Sequence, residues 1–290
     1  MLPVNDFRWM DAALTLASRG QGITAPNPSV GCVIVGDGHV VGRGWTQPGG
    51  RPHAEAMALE EAGSAARGAT AYVTLEPCAH ESARGPACTD LLIAAEVARV
   101  VIALRDPDPR TDGKGIARLR EAGIEVVTGV REAEARSAIA GFLTHRFKGR
   151  PYVTLKLATS LDGCIALGNG ESRWITGPEA RAHSHLERAR HEAILIGRGT
   201  LESDSPKLNV RLPGLESRAP RRVLLSARTA DDWHMISQPS AIATLVGVDY
   251  LMIEGGAMTA ATFLRADLVD RLLLYRAPVL LGGKPGIGDL

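Results

Sequence analysis

Short apolar runs alternate along the whole chain with segments whose apolar positions recur every three or four residues. The apolar runs, which are rich in β-branched residues, lie at 30–35, 71–75, 100–104, 124–127, 152–158, 193–196, 222–226, 250–253 and 271–275. The segments of helical spacing lie at 11–18, 54–62, 91–97, 116–122, 179–190 and 259–265. Strands that alternate with helices in this way predict a layered α/β fold.

The chain predicts two domains. Its 290 residues exceed the usual size of one domain. The polar, turn-forming stretch at 147–151 separates two groups of predicted strands. We therefore expect a first domain over residues 1–148 and a second over residues 149–290.

The net charge and the lengths of the apolar runs indicate what kinds of partner the protein binds. The net charge is +1, without the basic surplus of a nucleic-acid-binding protein. No apolar run is long enough to cross a bilayer, and no signal-peptide pattern precedes the first helix. We expect a cytoplasmic protein with a small-molecule substrate, no nucleic-acid partner and no membrane partner. In a reducing compartment, its four cysteines favour metal binding or free thiols over disulfides.

Three features of the first domain together predict a zinc site. His53 opens a predicted helix, Cys78 follows a strand after Pro77, and Cys88 opens another helix. One imidazole and two thiolates suit Zn²⁺, and three protein ligands leave a fourth position for water. Each feature is weak alone, but their order is specific. Glu55, two residues beyond His53, is the expected proton carrier between water and a leaving amine.

The remaining cysteines, Cys32 and Cys164, lie in or just after predicted strands. A free cysteine in such a position usually behaves as a small buried apolar residue. We therefore expect neither of them to bind the metal.

The local sequence around these residues resembles one family. Residues 25–31 (APNPSVG), 53–55 (HAE) and 74–80 (TLEPCAH) are similar to the deaminase half of the bifunctional riboflavin-biosynthesis deaminase/reductases. The resemblance implies a cytidine-deaminase-like domain that deaminates 2,5-diamino-6-(5-phosphoribosylamino)pyrimidin-4-one. It implies the same zinc ligands and proton carrier, and it assigns substrate contacts to Asn27, His80 and Arg84.

The second domain resembles the reductase half of the same family. The matching motifs are 155–158 (LKLA), 160–163 (SLDG), 170–176 (GESRWIT), 197–200 (GRGT), 204–208 (DSPKL) and 253–256 (IEGG). The resemblance implies a dihydrofolate-reductase-like fold and reduction of the ribosyl group to ribityl by NADPH. The implied cofactor contacts are Ala158, Trp174, Thr200, Asp204, Ser226 and Gly256. The implied substrate contacts are Ser172, Arg188, Leu208, Arg211 and Glu254. We also expect a homo-oligomer.

Two physical patterns in the second domain agree with a dinucleotide site. The turn at Gly255 and Gly256 between a strand and a helix lets a pyrophosphate approach free N–H groups. Arg228 follows the end of a predicted strand, where an arginine can accommodate the 2′-phosphate of NADPH.

The chain departs from the family pattern in three places. One extra residue lies between Cys78 and Cys88, and Thr46 stands where the family often has histidine. Only about 28 residues separate Ser226 from Glu254, which is too few for the family's further strand and helix. Either the reductase has lost part of its cofactor wall or residues are missing there. We favour the second reading, because removal of a central strand would leave backbone groups unpaired. It predicts a break in the backbone between Arg228 and Tyr250.

Two other functions remain open. A deaminase whose reductase domain has degenerated into a structural or assembly role would keep the zinc motif and would not bind NADPH. A deaminase of nucleic-acid bases, such as one acting on tRNA, would show a basic face and no reductase motifs. The charge balance and the second set of motifs argue against this last function.

Overall fold

The computed structural model describes residues 4–80, 85–171 and 175–289, and the chain divides into two compact units, Met1–Leu143 and Thr144–Leu290. The division falls inside helix α6 (Ala140–Lys148), a few residues before the boundary predicted from the sequence. None of the described helices is both long and apolar enough to cross a membrane.

The first unit contains one mixed five-stranded sheet. Its helices are α1 (Val4–Ala17), α2 (Ala54–Ala62), α3 (Cys88–Ala94), α4 (Lys114–Glu121) and α5 (Glu132–Ala138). Its strands are β1 (Gly31–Gly36), β2 (His39–Trp45), β3 (Thr70–Leu75), β4 (Arg99–Leu104) and β5 (Glu125–Thr128). The strand order is β2-β1-β3-β4-β5. β1 pairs antiparallel with β2 and β3, whereas β3, β4 and β5 are parallel.

Glycines let two helices pack very closely on this sheet. A Cβ atom on Gly31 would lie 1.9 Å from the carbonyl oxygen of Ala13 in α1. A Cβ on Gly44 would lie 2.0 Å from the carbonyl oxygen of Ala54 in α2. The first turn of α2 is therefore held directly against β2, which fixes the position of the residues at its start.

The second unit is built around a six-stranded parallel sheet of order β10-β9-β8-β11-β6-β12. Its strands are β6 (Tyr152–Thr159), β7 (Cys164–Ala166), β8 (Ala193–Gly197), β9 (Arg221–Leu225), β10 (His234–Ile236), β11 (Tyr250–Ile253), β12 (Arg271–Arg276) and β13 (Lys284–Pro285). Its helices are α7 (Pro178–Arg188), α8 (Arg198–Asp204) and α9 (Ala257–Arg265). β7 and β13 form a separate antiparallel pair. β8 and β11 are buried along their whole length, as expected of central parallel strands.

The predicted break between Arg228 and Tyr250 is wrong. The structure describes every residue of this segment, including β10, which the sequence pattern did not predict. The amide of Ser226 donates to the carbonyl of Ile236 at 2.9 Å, and Ile242, Leu245 and Val248 enter the apolar core. The prediction failed because β10 lies at the edge of the sheet. A short segment there leaves the central strands β8 and β11 paired on both sides, so no backbone groups of the central strands lose their partners.

Candidate active sites

Three metal-binding side chains meet at one point of the first unit. His53, Cys78 and Cys88 each offer a ligand atom, and these atoms lie within 4.8 Å of one another. Nδ1 of His53 lies 3.2 Å from Sγ of Cys88 and 3.6 Å from Sγ of Cys78. One imidazole nitrogen and two sulfurs at this spacing fit a tetrahedral Zn²⁺ ion with one position left for a small molecule. The structure thus brings together the three predicted ligands.

Local backbone structure presents these side chains. His53 is the extended residue before α2, Cys78 lies just beyond the end of β3, and Cys88 is the first residue of α3. The amide of Cys88 donates to Sγ of Cys78 at 3.2 Å, and the amide of Thr89 donates to the carbonyl of Cys78. The start of α3 therefore holds the Cys78 segment in place.

The two thiols differ in acidity. Hydrogen bonds from the Cys88 side chain and from His53 outweigh burial and lower the pKa of Cys78 to about 4. The pKa of Cys88 is raised, because it hydrogen-bonds Cys78 and is buried beside Glu55. A bound cation would favour the thiolate of both residues.

Glu55 lies in the first turn of α2, next to the three ligands. Its side chain is buried, and burial raises the pKa of its carboxyl group. The same carboxyl group lies within hydrogen-bonding reach of Cys88. A carboxyl group with a raised pKa beside the open metal position is suited to accepting and returning a proton near neutral pH.

Asn27 lies on the other side of His53. Its side-chain amide donates to the carbonyl of Gly50 at 2.8 Å and lies 3.1 Å from Nε2 of His53. Gly50 has a φ of +86°, and a Cβ there would lie 2.8 Å from the Asn27 side chain. Asn27 therefore contacts a metal-binding residue directly, which its motif alone did not reveal.

The structure gives fewer contacts for the other two predicted substrate residues of this unit, His80 and Arg84. Nδ1 of His80 lies 3.5 Å from the hydroxyl of Thr111, beyond the end of β3. Arg84 lies outside the described residues. Thr46 is buried, and its hydroxyl accepts a hydrogen bond from the amide of Val30 at 3.0 Å. The hydroxyl of Thr46 is thus already engaged in a hydrogen bond with the backbone.

Sequence reasoning missed Glu76. This buried carboxylate accepts hydrogen bonds from the amides of Asp106, Gly113 and Ile116 at 3.0–3.2 Å. A Cβ on Gly115 would lie 2.3 Å from the carbonyl oxygen of Pro77. Glu76 thereby holds the loop after β4 against the segment that carries Cys78. Its position between a buried strand and the Pro77-Cys78 pair was the sequence signal that could have indicated this role.

The second unit has a cavity of ≈ 300 Å³ at the carboxyl ends of β6 and β11. Seven of the predicted reductase residues line it: Ala158, Arg188, Thr200, Asp204, Arg211, Glu254 and Gly256. Ser172 and Trp174 lie outside the described residues. Leu208 is instead buried in an apolar cluster, and Ser226 lies at the end of β9, away from this cavity. The structure therefore brings seven of the predicted residues to one cavity.

Charged residues are concentrated on one side of this cavity. Arg188 donates to both carboxylate oxygens of Glu254 at 2.6 and 2.9 Å, and Nζ of Lys156 lies 3.5 Å from the same carboxylate. Burial opposes ionisation of Glu254, but the two cations outweigh it and hold its pKa at about 2. Lys156, which sequence reasoning did not single out, belongs to this group.

Arg211 is held by a histidine. Its Nε donates to Nε2 of His185 at 3.2 Å, and Nδ1 of His185 lies 3.1 Å from the carbonyl of Asn209. Burial and the neighbouring Arg188 and Arg211 lower the pKa of His185. Two guanidinium groups thus face one end of the cavity, and such groups match a phosphate well.

A second cavity, of ≈ 660 Å³, lies beside the first and shares Ile165, Thr200 and Gly256 with it. The amide of Gly256 donates to the hydroxyl of Thr200 at 3.0 Å. A Cβ on Gly255 would lie 2.6 Å from the Thr259 side chain. The turn between β11 and α9 thus requires glycine, and the start of α9 lines this cavity, where a helix N-terminus favours an anionic ligand.

Two family patterns match the chain. The cytidine and deoxycytidylate deaminase zinc-binding region matches residues 3–104. The RibD C-terminal domain matches residues 151–249 and 241–289, so the family pattern is interrupted where the two matches overlap. This interruption lies in the segment between Ser226 and Glu254, which the sequence showed to be short for the family.

Similar proteins cover nearly the whole chain. The riboflavin biosynthesis protein RibD of Escherichia coli is 40% identical over 328 residues, which covers 96% of this chain and 89% of the relative. The structure of Acinetobacter baumannii RibD is 39% identical, with a TM-score of 0.88, over 98% of this chain and 91% of that chain. A diaminohydroxyphosphoribosylaminopyrimidine deaminase/5-amino-6-(5-phosphoribosylamino)uracil reductase from Thermotoga maritima is 33% identical, with a TM-score of 0.88, over the same shares.

Proposed function

The chain belongs to the RibD family of bifunctional riboflavin-biosynthesis enzymes, and we propose that its two compact units carry one reaction each. It is a zinc-dependent deaminase and an NADPH-dependent reductase. We assign deamination to residues 1–148 and reduction to residues 149–290. The observation that carries this assignment is that the metal-binding cluster and the cavity with the cofactor residues lie in different units.

In the first unit, His53, Cys78 and Cys88 would hold zinc. Zinc bound there supplies a Lewis acid that makes water a nucleophile near neutral pH. Glu55 takes a proton at its carboxylate and returns it to the departing amino group, a role that its burial and raised pKa support. The substrate is 2,5-diamino-6-(5-phosphoribosylamino)pyrimidin-4-one, with Asn27, His80 and Arg84 as its binding residues.

In the second unit, Ala158, Trp174, Thr200, Asp204, Ser226 and Gly256 would bind NADPH. NADPH supplies the hydride that converts the ribosyl group to ribityl. Ser172, Arg188, Leu208, Arg211 and Glu254 would hold the phosphorylated substrate. Arg188 and Arg211 support this assignment, because they present two guanidinium groups to the cavity in which Glu254 also lies.

Incubation with the diamino-pyrimidinone phosphate, with and without NADPH, tests both reactions. We expect the deaminated product to accumulate without NADPH and the ribityl product to form only when NADPH is present. A protein that deaminates but neither binds nor oxidises NADPH would support the alternative of a reductase unit retained only for structure or assembly.

We also propose a cytoplasmic homo-oligomer that acts on this small molecule, with no nucleic-acid and no membrane partner. The four free, buried cysteines support a reducing compartment. The leucines at 272 and 274 lie on one face of β12 and are 53% and 43% exposed, which supports burial of that face against a second copy. Light scattering of the purified protein measures the oligomeric state.

A further inference from the structure

Arg198 spans the gap between two strand ends beside the larger cavity. It is the first residue of α8, immediately after β8. Its Nε and Nη2 atoms donate to the hydroxyl of Ser226 at 3.1 and 3.0 Å, just past the end of β9. Nη2 also donates to the carbonyl of Arg228 and, at 3.1 Å, to that of Thr229. One edge of the guanidinium is therefore fixed by neutral acceptors.

The remaining nitrogen of this guanidinium, Nη1, is available. Within residues 4–80, 85–171 and 175–289, Nη1 of Arg198 donates no hydrogen bond, and no carboxylate forms an ion pair with this side chain. Arg198 is only partly exposed, and it lines the ≈ 660 Å³ cavity. It is thus an oriented, partly desolvated cation without a counter-ion, beside a space large enough for half of a dinucleotide.

The two cavities define which half of the cofactor lies there. The substrate residues Arg188, Arg211 and Glu254 line the smaller cavity, so the hydride-donating ring must lie there. The glycine turn at Gly255 and Gly256 lies between the two cavities and suits the pyrophosphate. The adenosine half would then extend into the larger cavity, towards Arg198.

We propose that Arg198 binds the 2′-phosphate of the adenosine ribose and thereby selects NADPH over NADH. This inference rests on the proposed NADPH reductase function of the second unit. A phosphate would meet a guanidinium whose orientation is already fixed, so little side-chain entropy remains to be lost on binding. The same phosphate supplies the charge that Arg198 lacks.

Neither of the other nearby cations is placed as well. Arg228, predicted from its position after β9, is paired with Glu202 at 2.9 Å, and its side chain is 74% exposed. Lys284 lines the larger cavity but is exposed on the short strand β13. To bind the phosphate, Arg228 would have to give up its ion pair, and the exposed side chain of Lys284 would lose more conformational entropy than Arg198 does.

Calorimetric binding of NADP⁺ and NAD⁺ to the full-length protein tests this inference without relying on turnover. Arg198→Ala and Arg198→Gln are compared with Arg228→Ala, Lys284→Ala and a matched control, Arg221→Ala. Arg221 is an exposed arginine at the opposite end of β9, and its side chain donates to the carbonyl of Val246. We expect both Arg198 variants to bind NADP⁺ about 10- to 100-fold more weakly, with NAD⁺ affinity within about twofold of wild type.

The remaining outcomes separate this inference from the function on which it rests. Retained NADP⁺ preference in both folded Arg198 variants would overturn it, as would loss of that preference in Arg228→Ala or Lys284→Ala alone. Wild-type circular dichroism and a wild-type melting transition of the second unit show that each variant is folded, and Arg198→Gln keeps a donor to Ser226 if the alanine variant is unstable. A wild-type protein that binds neither nucleotide would overturn the proposed reductase itself.

Discussion

The side-chain amide of Asn27 lies 3.1 Å from Nε2 of His53, on the opposite side of the ring from the thiols of Cys78 and Cys88. This contact orients the imidazole ring. Residues that orient a metal-binding histidine commonly change metal affinity by tenfold or more when they are removed. Asn27 therefore links the substrate-binding motif to the metal site.

Asn27→Ala should weaken zinc binding by about tenfold, in addition to any effect on substrate affinity. Competition with a chromophoric chelator measures zinc affinity independently of activity. Asn5→Ala, at an exposed position of α1, is the matched control. Unchanged zinc affinity in Asn27→Ala would mean that the contact with His53 has no role in holding the metal.

Glu55→Gln should retain zinc while deamination falls by about 10²- to 10⁴-fold. The substitution keeps the shape of the side chain, and Glu55 is not one of the three converging metal-binding residues. Metal analysis of the purified variant, beside a deaminase assay, checks both parts. Loss of zinc together with activity would show that Glu55 is needed to hold the metal.

Cys78→Ser should behave in the opposite way, losing zinc and lowering the melting temperature of the protein. A hydroxyl is a much poorer zinc ligand than a thiolate, and metal-binding free energy contributes to folding. Cys32→Ser, in a buried cysteine of β1 outside the cluster, separates the loss of a ligand from the loss of a buried thiol. Equal zinc content in the two variants would contradict the proposed ligand set.

Glu192→Gln should make the protein more stable at pH 8 than wild type, with little difference at pH 4. Burial raises the pKa of Glu192 to about 7, although the amides of Tyr250 and Asp249 donate to it. The folded protein therefore binds the proton more tightly than the unfolded chain does. Stability is lost as the pH rises from the unfolded pKa of about 4.5 through 7, by about 3 kcal/mol.

Denaturant unfolding at pH 4, 6 and 8 measures this difference. Asp249, whose pKa burial also raises, and its partner His145 remain in both proteins, so the comparison isolates Glu192. A gap between wild type and variant that does not widen with pH would show that Glu192 is ionised without cost in the fold.

NADPH should bind this protein more weakly than it binds the RibD of Escherichia coli. The alignment of the two sequences runs over 328 residues, whereas this chain has 290. The match to the reductase family pattern is interrupted near residues 241–249. A shorter segment between β9 and β11 offers less wall for the cofactor. Side-by-side calorimetry of the two proteins checks this, and equal affinities would show that the absent residues do not contribute to binding.

The sequence revealed the metal site well because its signals are local. His53, Cys78 and Cys88 each lie at the end of a predicted helix or strand, so their convergence follows from the layered fold. The roles of Asn27 and Glu76 were less visible, because they depend on contacts with Gly50 and with the loop after β4. Long-range hydrogen bonds of this kind have no periodic signature.

The second unit shows the same limit. Arg188 and Glu254, which the motifs singled out, line one cavity, but their mutual ion pair has no signature in the sequence. Position along the chain favoured Arg228 as the phosphate residue, whereas its pairing with Glu202 and the anchoring of Arg198 are visible only in three dimensions. Three-residue β10 was missed because so short a strand has no measurable alternation.

The edge position of β10 also has a consequence for protein engineering. Length changes at a sheet margin alter only the outer boundary of the fold, because β8 and β11 keep both of their neighbours. A longer sequence from a relative could therefore be grafted after Ile236, provided that the core residues Ile242, Leu245 and Val248 and the glycine turn at Gly255 and Gly256 are left intact. Within those limits, the margin of the sheet can be exchanged while the central strands stay as they are.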